Sequence, residues 1–155
     1  FRIRDNLQLD RKKEEEFLLQ CLEKADVRKT VDSLEAGLDT YLGKGTGYQG
    51  IDLSGGERQK LAIGRMYAKG ARILILDEAT QGIDVEAKTQ IYHIMDELAR
   101  KGKSILFISS DLSEVMGISD RILTMRHGQV VNITDGKKAD KDQILWEATV
   151  GNKEE

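Results

Sequence analysis

An apolar run at residues 72–78 constrains the fold more than any other stretch of the chain. It reads Arg-Ile-Leu-Ile-Leu-Asp-Glu, and unbroken branched apolar residues are typical of a strand that is covered on both faces. A second run, Ser-Ile-Leu-Phe-Ile-Ser, occupies residues 104–109. Between the two runs, apolar residues recur with the spacing of an amphipathic helix, at Ile91, Ile94, Met95 and Leu98. A strand, a helix and a second strand in this order predict a right-handed parallel unit, and therefore an α/β fold.

Two carboxylates, Asp77 and Glu78, stand where the first of these strands ends. In open α/β sheets, ligands bind beyond the carboxyl ends of the strands. Asp77 could therefore reach a hydrated magnesium ion while Glu78 faces an attacking water. The alternative is a pair of solvated acids at a strand end, and the two residues alone leave both interpretations open. A third acid, Asp84, follows a turn and is predicted to cap a helix that extends to about Lys101.

The segment Ser-Gly-Gly-Glu at residues 54–57 has the pattern of a capping box and predicts a helix to about Lys69, ended by Gly70. Capping alone does not explain two glycines in the first turn, since each costs a helix about 1 kcal/mol relative to alanine. Bare backbone at a helix N-terminus lets an anion such as a phosphate approach the exposed amides. We therefore expect anion contact here in addition to the cap.

Three segments taken together resemble the nucleotide-binding domain of ABC transporters. Residues 53–59 resemble its signature motif, residues 73–78 its Walker B strand and residues 82–84 its D-loop. The resemblance implies a partial P-loop NTPase-like ABC ATPase fold, with a helical subdomain at residues 1–70 and the C-terminal part of a RecA-like core at residues 71–155. Residues 1–80 look more like an exporter, whereas the rest resembles ribose- and galactose-type importers, so the substrate cannot be inferred.

The resemblance also implies roles for individual residues. In this family two domains pair head to tail, and each ATP lies between the phosphate loop of one domain and the signature of the other. Asp77 would hold the magnesium shell through water, Glu78 would polarise or deprotonate the attacking water, and Asp84 would bridge the two halves. The residues implied to contact nucleotide or its partner domain are Ser54, Gly55, Gly56, Gln59, Asp84 and Ser110.

The phosphate-loop pattern Gly-x-x-x-x-Gly-Lys-[Ser/Thr] is absent from the sequence. Gly37 precedes Gly43 and Lys44 at nearly the right interval, but five residues separate the glycines where four are required, and Gly45 follows the lysine. We therefore expect the N-terminal Walker A part to be missing and the chain alone to bind ATP poorly. The family's switch histidine aligns with Ser110, and a serine supplies no imidazole, so we expect slow hydrolysis.

Composition restricts the possible partners. The net charge of −3 and the pI near 5.5 argue against a nucleic-acid-binding surface. The single cysteine, Cys21, cannot form an internal disulfide and is predicted to be a small core residue. No apolar run approaches the ~20 residues that cross a bilayer. By resemblance we expect a cytoplasmic protein that is peripheral to the inner or plasma membrane through transporter subunits.

The chain supports three functional hypotheses. The first is a partial ATP-hydrolysing subunit of an ABC transporter, completed by a Walker A portion or by a second nucleotide-binding domain and docked on transmembrane subunits. The second is a non-catalytic interaction or regulatory module. The third, an ABC-type ATPase without a transporter, is disfavoured by the acidic balance.

The remaining segments give element predictions. We expect a helix capped by Asp10 that runs to about Ala25, a short helix at residues 30–35 and another at 112–117. Residues 121–125 are predicted to pair with residues 129–133 as a hairpin, and residues 138–150 to form a closing helix. We expect neither histidine to be catalytic: His93 is predicted to lie on the surface and His127 in the hairpin turn.

Overall fold

A computed structural model describes residues 1–8, 11–43 and 50–151. They form two compact units, one of Phe1–Ile75 and Ala79–Leu106, the other of Leu76–Glu78 and Phe107–Glu155. The helices are α1 (Ile3–Gln8), α2 (Glu15–Lys24), α3 (Arg28–Asp32), α4 (Gly55–Lys69), α5 (Val85–Arg100), α6 (Leu112–Ile118) and α7 (Lys141–Thr149). The strands are β1 (Ile73–Asp77), β2 (Ser104–Ile108), β3 (Arg121–Arg126) and β4 (Gln129–Asp135). The predicted α/β class is confirmed.

The core of the first unit is built from helices. α1 and α2 pack against α4, and α4 also contacts α5. The apolar face of each helix supplies the buried side chains, among them Ile3, Leu7, Leu18, Leu22, Ile63, Ile91 and Leu98. Cys21 lies in this core as predicted, and burial raises the pKa of its thiol.

The bounds of α4 and α5 follow the sequence prediction, whereas those of α2 do not. α4 ends at Gly70, whose φ of 68° lies in the left-handed region that glycine adopts without strain. The predicted cap Asp10 lies outside the described residues, and α2 begins at Glu15 after Glu14. The sequence prediction extended this helix too far because it counted the charged residues 11–14 as one of its faces. α1 was not predicted; Asp5, which accepts the Arg2 amide hydrogen at 3.0 Å, was its available signal.

β1 and β2 form a two-stranded sheet. The Ser104 amide donates to the Arg72 carbonyl at 3.0 Å and the Glu78 amide donates to the Ile108 carbonyl at 2.9 Å, so the strands are parallel. The prediction that β1 is covered on both faces is wrong for this structure. Leu74 and Leu76 are 9% and 7% exposed, but Ile73 and Ile75 are 65% and 63% exposed. One face of β1 is therefore buried and the other is exposed.

The predicted hairpin is present as an antiparallel pair from Arg121↔Asp135 to Arg126↔Gln129. His127 and Gly128 form its turn with φ values of 49° and 79°, the positive pair that a two-residue hairpin favours. α7 packs against β3. α7 begins three residues later than predicted, because residues 136–138 form a 3-10 turn. Among the described residues, no helix combines the length and apolarity needed to cross a membrane.

Candidate functional site

The first group of predicted site residues lies where α4 begins. The Ser54 hydroxyl oxygen accepts the Glu57 amide hydrogen at 3.3 Å, and the Ser54 amide donates to Glu57 Oε2 at 2.8 Å. These two reciprocal bonds confirm the predicted capping box. Ser54 itself is exposed and lies at the positive end of a 15-residue helix.

Glu57 is also tied to a different helix. The Thr30 hydroxyl on α3 donates to Glu57 Oε1 at 3.2 Å. The hydrogen bonds from the Ser54 backbone amide, from the Ser54 side chain and from Thr30 together hold the pKa of Glu57 below its ordinary value of 4.5, because they favour the charged carboxylate. The carboxylate is therefore ionised and acts only as an acceptor at neutral pH.

The two glycines after Ser54 permit close packing. A Cβ atom added to Gly55 would lie 3.0 Å from the Ile83 side chain, and one added to Gly56 would lie 2.9 Å from the Ala87 Cβ atom. Gly56 is buried and Gly55 is half-buried. Sequence reasoning missed this role, because no pattern within residues 53–59 indicates that residues 83–87 would approach so closely. Anion contact at these glycines stays a prediction.

The same approach brings Asp84 beside the start of α4. Asp84 caps α5 as predicted, since its carboxylate accepts the Ala87 amide hydrogen at 2.8 Å. Ser54, Gly55, Gly56 and Asp84 thus form one cluster at the N-termini of two helices. Gln59 lies further along α4 and is half-buried.

The second group lies at the end of β1. Asp77 is exposed at the last position of the strand. Glu78 follows with a backbone φ of 47°, and its carboxylate accepts two hydrogen bonds from one residue: the Ser110 amide at 2.9 Å and the Ser110 hydroxyl at 3.3 Å. The structure therefore brings together Glu78 and Ser110, which sequence reasoning placed in one site only through the family resemblance.

The surroundings of Asp77 and Glu78 bear on whether a metal ion could bind there. Within the ranges 1–8, 11–43 and 50–151, no group of three or more His, Cys, Asp or Glu side chains is placed to hold a metal ion. An exposed single carboxylate such as Asp77 instead fits a magnesium ion that keeps most of its waters. His93 is exposed and His127 lies in the hairpin turn. Neither histidine belongs to the residues at the start of α4 or to those at the end of β1.

A comparison with known families shows the family of this chain. The model of the family described as ABC transporter matches residues 2–81, more than half of the chain. The chain belongs to the ABC transporter family. The match contains Ser54, Gly55, Gly56, Asp77 and Glu78, and it confirms the resemblance inferred from the sequence.

Individual ABC transporter proteins show the same similarity. The ribose import ATP-binding protein RbsA 2 of Escherichia coli O157:H7 is 52% identical over 97 residues, which cover 63% of this chain and 19% of that protein. The galactose/methyl galactoside import ATP-binding protein MglA of Yersinia pestis is 53% identical over 93 residues, 60% of this chain and 18% of that protein. RbsA of Lacticaseibacillus paracasei is 37% identical over 146 residues, 94% of this chain and 26% of that protein.

A solved structure shares the fold of this ABC transporter family member. A bacterial Atm1-family ABC exporter with ATP bound matches with a TM-score of 0.73 and 25% identity, over 93% of this chain and 25% of that chain. The chain therefore spans about a fifth to a quarter of the length of the relatives that it matches.

Proposed function

We propose that this chain is part of the ATP-binding subunit of an ABC transporter and supplies one face of a composite ATP site. In this proposal residues 53–59 are the signature motif, residues 73–78 the Walker B strand and residues 82–84 the D-loop. The observation that carries it is the cluster at the start of α4 and α5, where Gly55 and Gly56 let Ile83 and Ala87 approach to contact distance. Ser54 precedes these glycines and Asp84 caps α5, in a chain whose family is ABC transporter.

The start of α4 suits contact with a phosphate that another polypeptide holds. Ser54 presents an exposed hydroxyl, and the first amides of a 15-residue helix carry a partial positive charge. Ser54, Gly55, Gly56 and Gln59 would meet the γ-phosphate side of a nucleotide on an opposing domain, and Asp84 would contact that domain.

The acids at the end of β1 suit the chemical step. Asp77 would hold a magnesium ion through its water shell, and the cation would neutralise charge on the phosphates. Glu78 would orient or deprotonate the attacking water. Ser110 stands close to Glu78, so it would touch the same reaction centre without the proton-transfer capacity of an imidazole.

The proposal requires partners. We propose that a Walker A portion or a second nucleotide-binding domain completes the site, that residues 1–70 and 71–155 act as helical and core parts, and that transmembrane subunits bind the assembly at the membrane. The exposed Ile73 and Ile75 side chains support this requirement, since apolar residues of a short central strand are ordinarily covered on both faces.

One observation favours a second candidate, a non-catalytic module that only supplies a signature face. Both carboxylate oxygens of Glu78 accept hydrogen bonds from Ser110. A carboxylate held in this way is less available to take a proton from water. Under this candidate, Glu78→Gln leaves the function of the assembly unchanged, whereas under the first it stops hydrolysis.

Calorimetry tests the main proposal. Magnesium ATP is titrated into this chain, into an intact ABC nucleotide-binding domain, and into their mixture. We expect the mixture to bind ATP more tightly than either component, and Ser54→Arg to remove the gain. Ala62→Arg, at an exposed position of the same helix, is the matched control and should keep it. A mixture that binds ATP no better than the intact domain alone would contradict the proposal.

A further inference from the structure

The Ser54 peptide group is held at both of its polar ends by side chains of the first turn of α4. Its carbonyl oxygen, which belongs to Leu53, accepts a hydrogen bond from Arg58 Nη1 at 2.9 Å. Its N–H donates to Glu57 Oε2 at 2.8 Å. Since a peptide group is planar, two such anchors fix the orientation of the peptide plane that leads to the Ser54 Cα atom.

The Glu57 carboxylate that provides one anchor has its own support in α3. Its second oxygen, Oε1, accepts the Thr30 hydroxyl hydrogen at 3.2 Å, across 27 residues of sequence. A Glu side chain has several rotatable bonds, and fixing it costs conformational entropy that a second hydrogen bond offsets. Thr30 thereby limits the carboxylate to the orientation that meets the Ser54 amide.

This arrangement also sets the direction of the Ser54 hydroxyl. Its oxygen accepts the Glu57 amide hydrogen at 3.3 Å, which occupies a lone pair on the helix side. The Ser54 side chain also hydrogen-bonds the Glu57 carboxylate, so the hydroxyl is held within the cap of α4. It stays beside the first amides of the helix, which are complementary to an anionic oxygen.

We infer that Thr30 and Glu57 are positioning residues that hold the Ser54 side chain at the start of α4, where it meets the terminal phosphate of a nucleotide on an opposing domain. The inference rests on the proposed function of Ser54 and extends it to a residue of α3. Thr30 acts only through Glu57, and it satisfies no backbone group of α4 itself. An ordinary cap needs only Ser54 and Glu57, so the bond from Thr30 is the element that distinguishes positioning from capping.

The test compares Thr30→Val, which removes the hydroxyl at nearly constant volume, with Thr30→Ser, which keeps it. Thr149→Val is the matched control, because the Thr149 hydroxyl donates to the Leu145 carbonyl within α7, outside this relay. Amide hydrogen exchange is measured along α4 of the chain without nucleotide. Magnesium ATP affinity is then measured by calorimetry in the mixture with an intact nucleotide-binding domain.

We expect Thr30→Val to speed exchange at the Ser54 amide by about three- to tenfold, the effect of one lost hydrogen bond of ordinary strength. The amides of the middle of α4 should exchange as before. ATP affinity in the mixture should fall by a similar factor, Thr30→Ser should restore both values, and Thr149→Val should change neither.

Three outcomes overturn the inference. The first is wild-type exchange at the Ser54 amide in Thr30→Val. The second is faster exchange of equal size along all of α4, which indicates a purely structural bond between helices. The third is faster hydrogen exchange at the Ser54 amide with unchanged ATP affinity. If the wild-type mixture gains no ATP affinity at all, the proposed function fails, while the exchange data still decide whether Thr30 orients Ser54.

Discussion

The two compact units differ in how much apolar side chain they bury. All ten of the largest fully buried side chains in the described residues belong to the first unit, from Ile3 on α1 to Leu98 on α5. In the second unit, β3 and β4 bury Ile122 and Thr124 beneath α7 but expose the opposite face. The cross-strand pairs of that exposed face are Leu123 with Ile133 and Met125 with Val130, each close to half exposed.

This difference shows how far each unit can cover its own apolar faces. In the first unit, α1 and α2 pack against α4, and α4 contacts α5, so the apolar faces of these helices cover one another. In the second, α7 packs on the two-stranded ribbon of β3 and β4, and the other face of the ribbon is exposed in the described part of the chain. A ribbon of this kind is marginally stable until further strands or helices pack on it. We therefore expect the second unit to be the less stable of the two by itself.

The largest expected effect contrasts one buried leucine with one exposed leucine. Leu22→Ala should lower the free energy of unfolding by about 2–5 kcal/mol, because it leaves a cavity among α1, α2 and α4. Leu123→Ala, at a position 48% exposed, should lower it by less than about 1 kcal/mol. Urea denaturation followed by circular dichroism measures both. Equal losses would break the comparison between the units.

The next effect concerns the glycines of α4. Gly56→Ala should destabilise the chain by about 1–3 kcal/mol, because the new Cβ atom would lie 2.9 Å from the Ala87 Cβ atom. Gly64→Ala is the matched control in the same helix: its Cβ atom would meet Leu22 at an ordinary 3.5 Å, and the gain in helix propensity should stabilise by up to about 1 kcal/mol. The same denaturation experiment decides, and a Gly56→Ala chain as stable as wild type would refute the close packing.

A smaller effect is expected from pH. The hydrogen bonds from Ser54 and Thr30 lower the pKa of Glu57 in the folded state. The Glu57 carboxylate therefore adds to the free energy of unfolding above the ordinary pKa of 4.5, and this stabilisation is lost as pH falls through the lower pKa of the folded state. The loss should be on the order of 1 kcal/mol or less, the size of one helix cap. Glu57→Gln should flatten this part of the stability profile below pH 4.5. A mutant profile parallel to that of the wild type would contradict the assignment.

The smallest effect on stability is expected from Met125→Lys, which should instead reduce the binding of a hydrophobic dye. Met125 is 53% exposed on the uncovered ribbon face, so the free energy of unfolding should change by no more than about 0.5 kcal/mol. Binding of a hydrophobic dye such as ANS should fall, since the substitution places a charge within the apolar patch. Lys141→Met, at an exposed position of α7, is a control that should not reduce dye binding. Unchanged dye binding in Met125→Lys would mean that this face is covered in solution.

Local patterns predicted the elements whose cause is local. Helix starts were predicted from the capping box of Ser54 and Glu57 and from the cap Asp84, and a helix end was predicted from Gly70. The structure begins α4 and α5 and ends α4 at these positions. The hairpin followed from its alternating strands and the His127-Gly128 turn. α1 and the start of α2 were not predicted, because six-residue helices carry little periodicity and charged flanks resemble a solvated helix face.

The site could be predicted as a set of residue types but not as a set of contacts. The approach of Ala87 to Gly56, the bond from Thr30 to Glu57 and the two bonds from Ser110 to Glu78 all join residues far apart in sequence. Such pairs depend on how helices and strands pack, which no single segment encodes. The exposed face of β1 escaped prediction for the same reason, since a run of branched residues specifies a strand but not what covers it.

The left-handed backbone of Glu78 has a consequence for attempts to engineer this chain. Positive φ costs a side-chain-bearing residue on the order of 1 kcal/mol, whereas glycine adopts it freely. A selection for thermal tolerance alone would therefore favour glycine or asparagine at position 78, and would remove the proposed catalytic carboxylate as its first improvement. Stabilised variants should be chosen with position 78 held constant, because foldability and the proposed activity place opposite demands on it.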